Sequence, residues 1–130
     1  MPLTITPLYA GILALLFVAM TFKVIRSRYR FRVPLGEGTS TKFRRIVRAH
    51  GNFAEYVPFT LVLMALAEIA AVPAVVLHGI GATLVAGRLL HAWSFMYSGG
   101  NLKIRVAGMW LTIFPLVAGS LLCIGVATGL

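Results

Sequence analysis

Arg48, Asn52 and Glu55 stand at i, i+4 and i+7 within a largely apolar stretch. On a helix that spacing places them along one stripe, with His50 and Tyr56 on adjacent faces. A second group, Arg88 and His91 at i and i+3, has Phe95 one turn further on. A third, Lys103 and Arg105, opens the last apolar run. Guanidinium forks match carboxylates in bidentate fashion and stay charged when partly desolvated. A cavity gathering Arg48, Arg88 and Arg105 therefore implies an anionic ligand, and Arg28 could add a further donor. Glu55 and Arg88 each lie about two turns inside a basic boundary, so an ion pair between them is expected. The structural alternative is a polar network that ties helices together, with Lys103 and Arg105 acting as membrane-surface anchors.

These residues need elements to hold them, and the composition says which. Of the 130 residues 59% are hydrophobic and only 12% charged, about half the charged fraction of an average globular chain. Lipid must be the solvent for much of the surface. The reading is a single all-α domain, an integral membrane four-helix bundle with helices at about residues 7–25, 42–71, 75–97 and 104–127. Thr39, Ser40 and Thr41 offer caps for the second helix. Pro58 and Pro115 fall inside helices and are expected to bend them. Ser98-Gly99-Gly100-Asn101 reads as a turn. The N-terminal stretch lacks the positive region of a cleaved signal peptide, so the first apolar run is expected to remain as a span.

Charge orients the bundle. Arg26, Arg28, Arg30, Arg32, Lys42, Arg44, Arg45 and Arg48 belong to the first connection and its flanks, and Lys103 and Arg105 to the third. Loops rich in Lys and Arg stay in the cytoplasm, which places both termini on the non-cytoplasmic side. This bias explains the formal charge of +9 without nucleic acid, for which no soluble module remains. Glu68 and His78 lie towards the opposite end, where snorkelling to headgroups is expected. Cys123 is the single cysteine, which excludes an intrachain disulfide and a multi-cysteine metal site. It is expected to be a packed, inert thiol, and no metal site is predicted.

The run Arg48-Ala-His-Gly-Asn52-Phe-Ala-Glu55-Tyr56-Val-Pro58 resembles the signature of the MAPEG family, membrane-associated proteins in eicosanoid and glutathione metabolism. The resemblance covers essentially the whole chain. It includes the Arg88-x-x-His91 pair on the third helix and the Phe31-Arg32-Val33 stretch after the first. It implies a bacterial-type member of the inner membrane, assembled as a homotrimer with glutathione at subunit interfaces in the cytoplasmic half of the bilayer. Arg48, Asn52, Glu55 and Tyr56 would hold the tripeptide, with Arg28, His50, Arg88 and His91 completing the pocket. Arg105 would match the catalytic fourth-helix Arg that stabilises the glutathione thiolate. Phe95 stands where eicosanoid-producing members tend to carry a pocket Tyr. The turn before the fourth helix is longer than usual, which leaves Lys103 as the alternative to Arg105.

That chemistry is coherent from below. A free thiol has a pKa of about 8.5, and a guanidinium beside it lowers such a value by roughly 1–3 units. The implied activity is a glutathione transferase or peroxidase acting on lipophilic small molecules that arrive through the bilayer. Two other classes compete. A small multidrug transporter also has four helices and a membrane Glu, but a proton-coupled exporter of cations wants an acidic cavity. A non-catalytic scaffold of the same fold would keep the architecture without turnover.

Overall fold

The structure, a computed structural model, describes residues 2–97 and 101–130. Its elements are four long helices: α1 (Ile5–Phe31), α2 (Thr41–Ile69), α3 (Ala74–Ala92) and α4 (Leu102–Thr128). A π-helical turn, Trp93–Tyr97, continues α3. The predicted turn at 98–100 lies outside the described residues. All four helices are long and apolar enough to cross a membrane.

α1 continues to Phe31, well past the end of the apolar run. Its arginines are good helix formers whose stems lie along the helix while the heads reach water. Arg28 and Arg30 occupy the last turn, where cations oppose the negative helix end. α1 stops at Arg32, whose φ of 55° reverses the chain. Ser40 is the residue that caps α2, accepting from the Phe43 amide at 3.3 Å. Asn101 caps α4, its Oδ1 accepting from the amides of Lys103 and Ile104 at 3.0 and 3.3 Å. Pro58 and Pro115 lie inside α2 and α4 as read from the sequence.

The helices pack in the ring order α1–α2–α4–α3, and α2 also meets α3 across the centre. The core between them is built from Leu13, Met20, Ile46, Ala49, Phe53, Val57 and Leu84, among others. The outside stays apolar: Leu15, Val75 and Trp110 are each more than 60% exposed. In water such a surface would aggregate, whereas lipid solvates it. The chain is therefore a multi-pass membrane bundle.

The tightest seam joins α3 to α4. A Cβ on Gly87 would lie 2.8 Å from the Leu111 carbonyl carbon, and one on Gly108 only 2.7 Å from the His91 amide nitrogen. Small residues let helices approach closely in lipid, where no hydrophobic effect drives them together. This seam presses Arg88 and His91 of α3 against α4.

Candidate functional site

Arg88 is the centre of the polar cluster and is fully buried. Its Nη1 donates to Asn52 Oδ1 of α2 at 2.8 Å and makes a longer contact of 3.4 Å to Thr112 Oγ1 of α4. Its Nη2 lies 3.3 Å from His91 Nδ1. A guanidinium can only donate, so His91 accepts there and carries its proton on Nε2. The guanidinium also sits 5.2 Å from the Phe53 ring centroid, a cation–π distance. Every one of these partners is neutral, and among the described residues the buried Arg88 Nε meets no hydrogen-bond partner.

A column of rings leads away from this point. His91 stacks on Phe95 with centroids 4.5 Å apart, and the Arg105 guanidinium stands 5.3 Å from the same Phe95 ring. The π-helical turn sets Phe95 in that place, since one wide turn rotates the residues after it relative to an α-helix. Arg105 is half-buried while Lys103 is exposed.

The expected Glu55–Arg88 ion pair does not form. Asn52 takes the guanidinium instead, and Glu55 is exposed on the outer side of α2. Three residues on a helix turn through about 300°, which points Glu55 some 60° away from Asn52. Glu55 lines an open depression of about 400 Å³ with Pro58, Phe59 and Val62. Arg48 is exposed on the same outer stripe, and Tyr56 is half-buried one turn beyond Asn52.

With this arrangement in view, comparison with known proteins is decisive: the model of the MAPEG family matches residues 6–125. The chain belongs to the MAPEG family. It is also similar to the inner membrane protein YecN of Escherichia coli strain K12, 33% identical over 120 residues that cover 90% of each chain. The YecN of Escherichia coli O6:H1 matches to the same extent. The four spans and these relatives establish a multi-pass inner membrane protein.

Within this MAPEG chain two more of the expected site residues, besides Glu55 and Arg48, stand apart from the cluster. His50 Nε2 is 2.9 Å from Thr21 Oγ1 of α1, and its ring stacks on Phe17. Two residues turn through about 200°, so His50 faces α1 while Asn52 faces the α3–α4 side. Arg28 Nη1 donates to the carbonyls of Val33 and Gly36, each at 3.0 Å, and so holds the first connection.

Glu68 corrects a second expectation. It does not snorkel. It is 7% exposed, and its carboxylate accepts from the amides of Thr4, Ile5 and Thr6 at 2.6, 2.7 and 2.7 Å. It thus satisfies the orphan N–H groups that open α1. His78 is exposed, with Nδ1 2.9 Å from the Tyr9 hydroxyl. Cys123 is half-buried against the Leu63 carbonyl, its Sγ 3.4 Å away.

Sequence reasoning passed over Thr112, Phe53 and Met109, the last with its sulfur 4.0 Å from Asn52 Nδ2. Thr112 left a readable trace: it is four residues from Gly108, and its hydroxyl donates to the Gly108 carbonyl at 2.8 Å. Phe53 and Met109 are ordinary apolar residues, and nothing in their type marks them as neighbours of a cation.

Proposed function

We propose that this MAPEG protein binds glutathione and uses its thiolate as a nucleophile against lipophilic electrophiles. The observation that carries this reading is the buried guanidinium of Arg88, which among the described residues meets only neutral partners and keeps one buried N–H unmatched. A buried charge without an opposite charge is costly, and an anionic ligand nearby would offset that cost. Glutathione offers two carboxylates, one ammonium and one thiol. The mixed set of Arg48, Arg105 and Glu55 matches those charges, with Asn52 and Tyr56 on the flank between.

Arg105 takes the thiolate in this reading. Its place over Phe95 and its half-buried setting favour it over the exposed Lys103. A neighbouring guanidinium stabilises the charged sulfur, which attacks an electrophilic carbon and forms a thioether as the carbon's bond to a leaving group breaks and the electron pair departs with that group as an anion. His91 acts through Phe95 by supporting the ring beneath Arg105. His50 and Arg28, committed to Thr21 and to the first connection, take no part.

Glu55 and Arg48 face outward on a helix that lies in the membrane, and lipid is a poor partner for either. A homotrimer would cover that stripe with a second copy and close the pocket between chains. The positive-inside bias puts this pocket on the cytoplasmic side, with both termini on the other.

The test is a titration of the detergent-solubilised protein with glutathione, followed by thermal stability and by thiolate absorbance in the ultraviolet. The expected result is a rise in Tm that grows with the logarithm of concentration above Kd, with a thiolate signal at neutral pH. No shift at millimolar glutathione together with no thiolate signal overturns the reading. A shift without thiolate leaves binding but removes the transferase chemistry and favours the non-catalytic scaffold.

A further inference from the structure

Which of Lys103 and Arg105 meets Phe95 depends on the register of α4. The two stand two residues apart, about 200° round the helix axis. A slip of α4 by two residues along its seam with α3 would put the lysine in the arginine's place. The length of chain before α4 leaves either register open, so something in the folded chain must select one.

Ser94 and Asn101 meet at that point. Ser94 lies in the π-helical turn, one residue before Phe95, and is fully buried. Its hydroxyl donates to the main-chain carbonyl of Asn101 at 2.8 Å. The same carbonyl accepts the Arg105 amide at 3.0 Å, the bond that opens the α4 ladder. The Asn101 side chain accepts from the amides of Lys103 and Ile104. A buried hydroxyl needs an acceptor, and here the acceptor belongs to the residue that caps α4. π-helical turns are rare, short and often sited at functional positions; this one is tied at its second residue to the next helix. The path between the two ends is short. Phe95 adjoins Ser94, and Arg105 is bonded to the carbonyl that Ser94 holds.

We infer that Ser94 and Asn101 are positioning residues, a clamp that sets the register of α4 so that the Arg105 guanidinium stands 5.3 Å from the Phe95 ring and Lys103 stays exposed. Its chemical consequence rests on the reading of Arg105 as the thiolate's partner, whereas the clamp is geometry of the chain alone. A guanidinium stabilises a thiolate where its N–H groups reach the sulfur, and a misplacement of about 1 Å can cost on the order of 100-fold.

Two readouts on Ser94→Ala, Asn101→Ala and Asn101→Ser test this and keep the two parts distinct. The first needs no glutathione: the rate at which phenylglyoxal modifies Arg105, resolved by peptide mass spectrometry and referred to the exposed Arg26 of the same molecule. Both alanine variants are expected to raise that ratio several-fold as Arg105 leaves its half-buried place. Asn101→Ser keeps a neutral cap oxygen and is expected to restore the parental ratio. The second readout is the pH profile of thiolate absorbance with glutathione bound. The alanine variants are expected to raise the apparent thiol pKa by about one unit, roughly a tenfold loss of thiolate at neutral pH, while the Tm rise with glutathione persists. A merely structural role would lower Tm and move neither readout. Asn101 is exposed, so its variants serve if Ser94→Ala does not fold. A parental ratio in the alanine variants overturns the clamp, and so does Asn101→Ser behaving as Asn101→Ala. A raised ratio with an unchanged thiol pKa overturns the positioning role. No thiolate in the parent, with the ratio still raised and rescued, supports the clamp and overturns the thiolate reading alone.

Discussion

The bundle buries a charge near each end, and the two are treated in opposite ways. At the end away from the basic loops, Glu68 receives three backbone amides from the start of α1, with the Thr4 hydroxyl at 3.4 Å. Those N–H groups are the positive pole of the α1 dipole, so the carboxylate meets partial positive charge on its own helix bundle. At the other end Arg88 meets an amide oxygen, a hydroxyl and an imidazole, all neutral, and keeps an orphan Nε. The first charge is compensated within one chain. The second is only positioned. A buried ion that is completely matched does structural service, whereas one held in place but left unmatched is prepared for something from outside.

The largest effect expected from this contrast is chemical. Arg105→Ala should remove the glutathione thiolate signal at neutral pH, because the thiol pKa returns upward by roughly 1–3 units, a ten- to thousand-fold loss of thiolate. The Tm rise on adding glutathione should persist, since Arg88 and Asn52 still bind. Unchanged absorbance would move the thiolate role to another cation. Next comes the closed end. Glu68→Ala should cost about 3 kcal/mol or more by orphaning three amides at once, read as a fall in Tm, and should leave glutathione affinity alone. A loss of affinity would mean that the two ends are coupled. Gly108→Ala should cost about 1–3 kcal/mol by pushing α4 off His91, and unlike Glu68→Ala it should weaken glutathione binding as well.

How far each end was legible in the sequence follows from the same geometry. Long apolar runs bounded by arginines specify spans, and the depth of a residue along a span can be counted at 1.5 Å per residue. That is why Arg88, Asn52 and Arg105 could be gathered at one level from sequence. Counting gives height but not the direction a residue faces between neighbouring helices. Glu55 and Asn52 differ little in height yet point about 60° apart, so Arg88 meets the amide and not the carboxylate. His50 and Asn52 differ by two residues yet face different helices. For Glu68 the height was readable, but the start of α1 folding over its carboxylate was not, because no local signal links residue 68 to residues 4–6. The α1 extension to Phe31 was hidden for another reason: alternating arginines look like a loop in hydropathy although they favour helix. The π-helical turn at Trp93–Tyr97 has no glycine or proline inside it to announce it.

The smallest expected effect on stability is also the sharpest test of the contrast. Arg88→Met keeps length and flexibility while removing the charge and its unmatched N–H. If Arg88 were a structural ion like Glu68, its loss would destabilise the bundle by several kcal/mol. If instead its charge is held at a cost until a ligand compensates it, replacement by an apolar side chain of similar volume should be close to neutral, with any change towards greater stability. Asn52 Oδ1 would lose its donor but keep its half-buried position, where water can donate in its place. The apo protein should therefore melt no earlier than the parent, while the Tm rise produced by glutathione disappears. Thermal melts of both proteins with and without glutathione read the two quantities together. A variant that melts far earlier and still responds to glutathione would reverse the assignment, making Arg88 the structural charge and leaving anion recognition to Arg48 and Arg105.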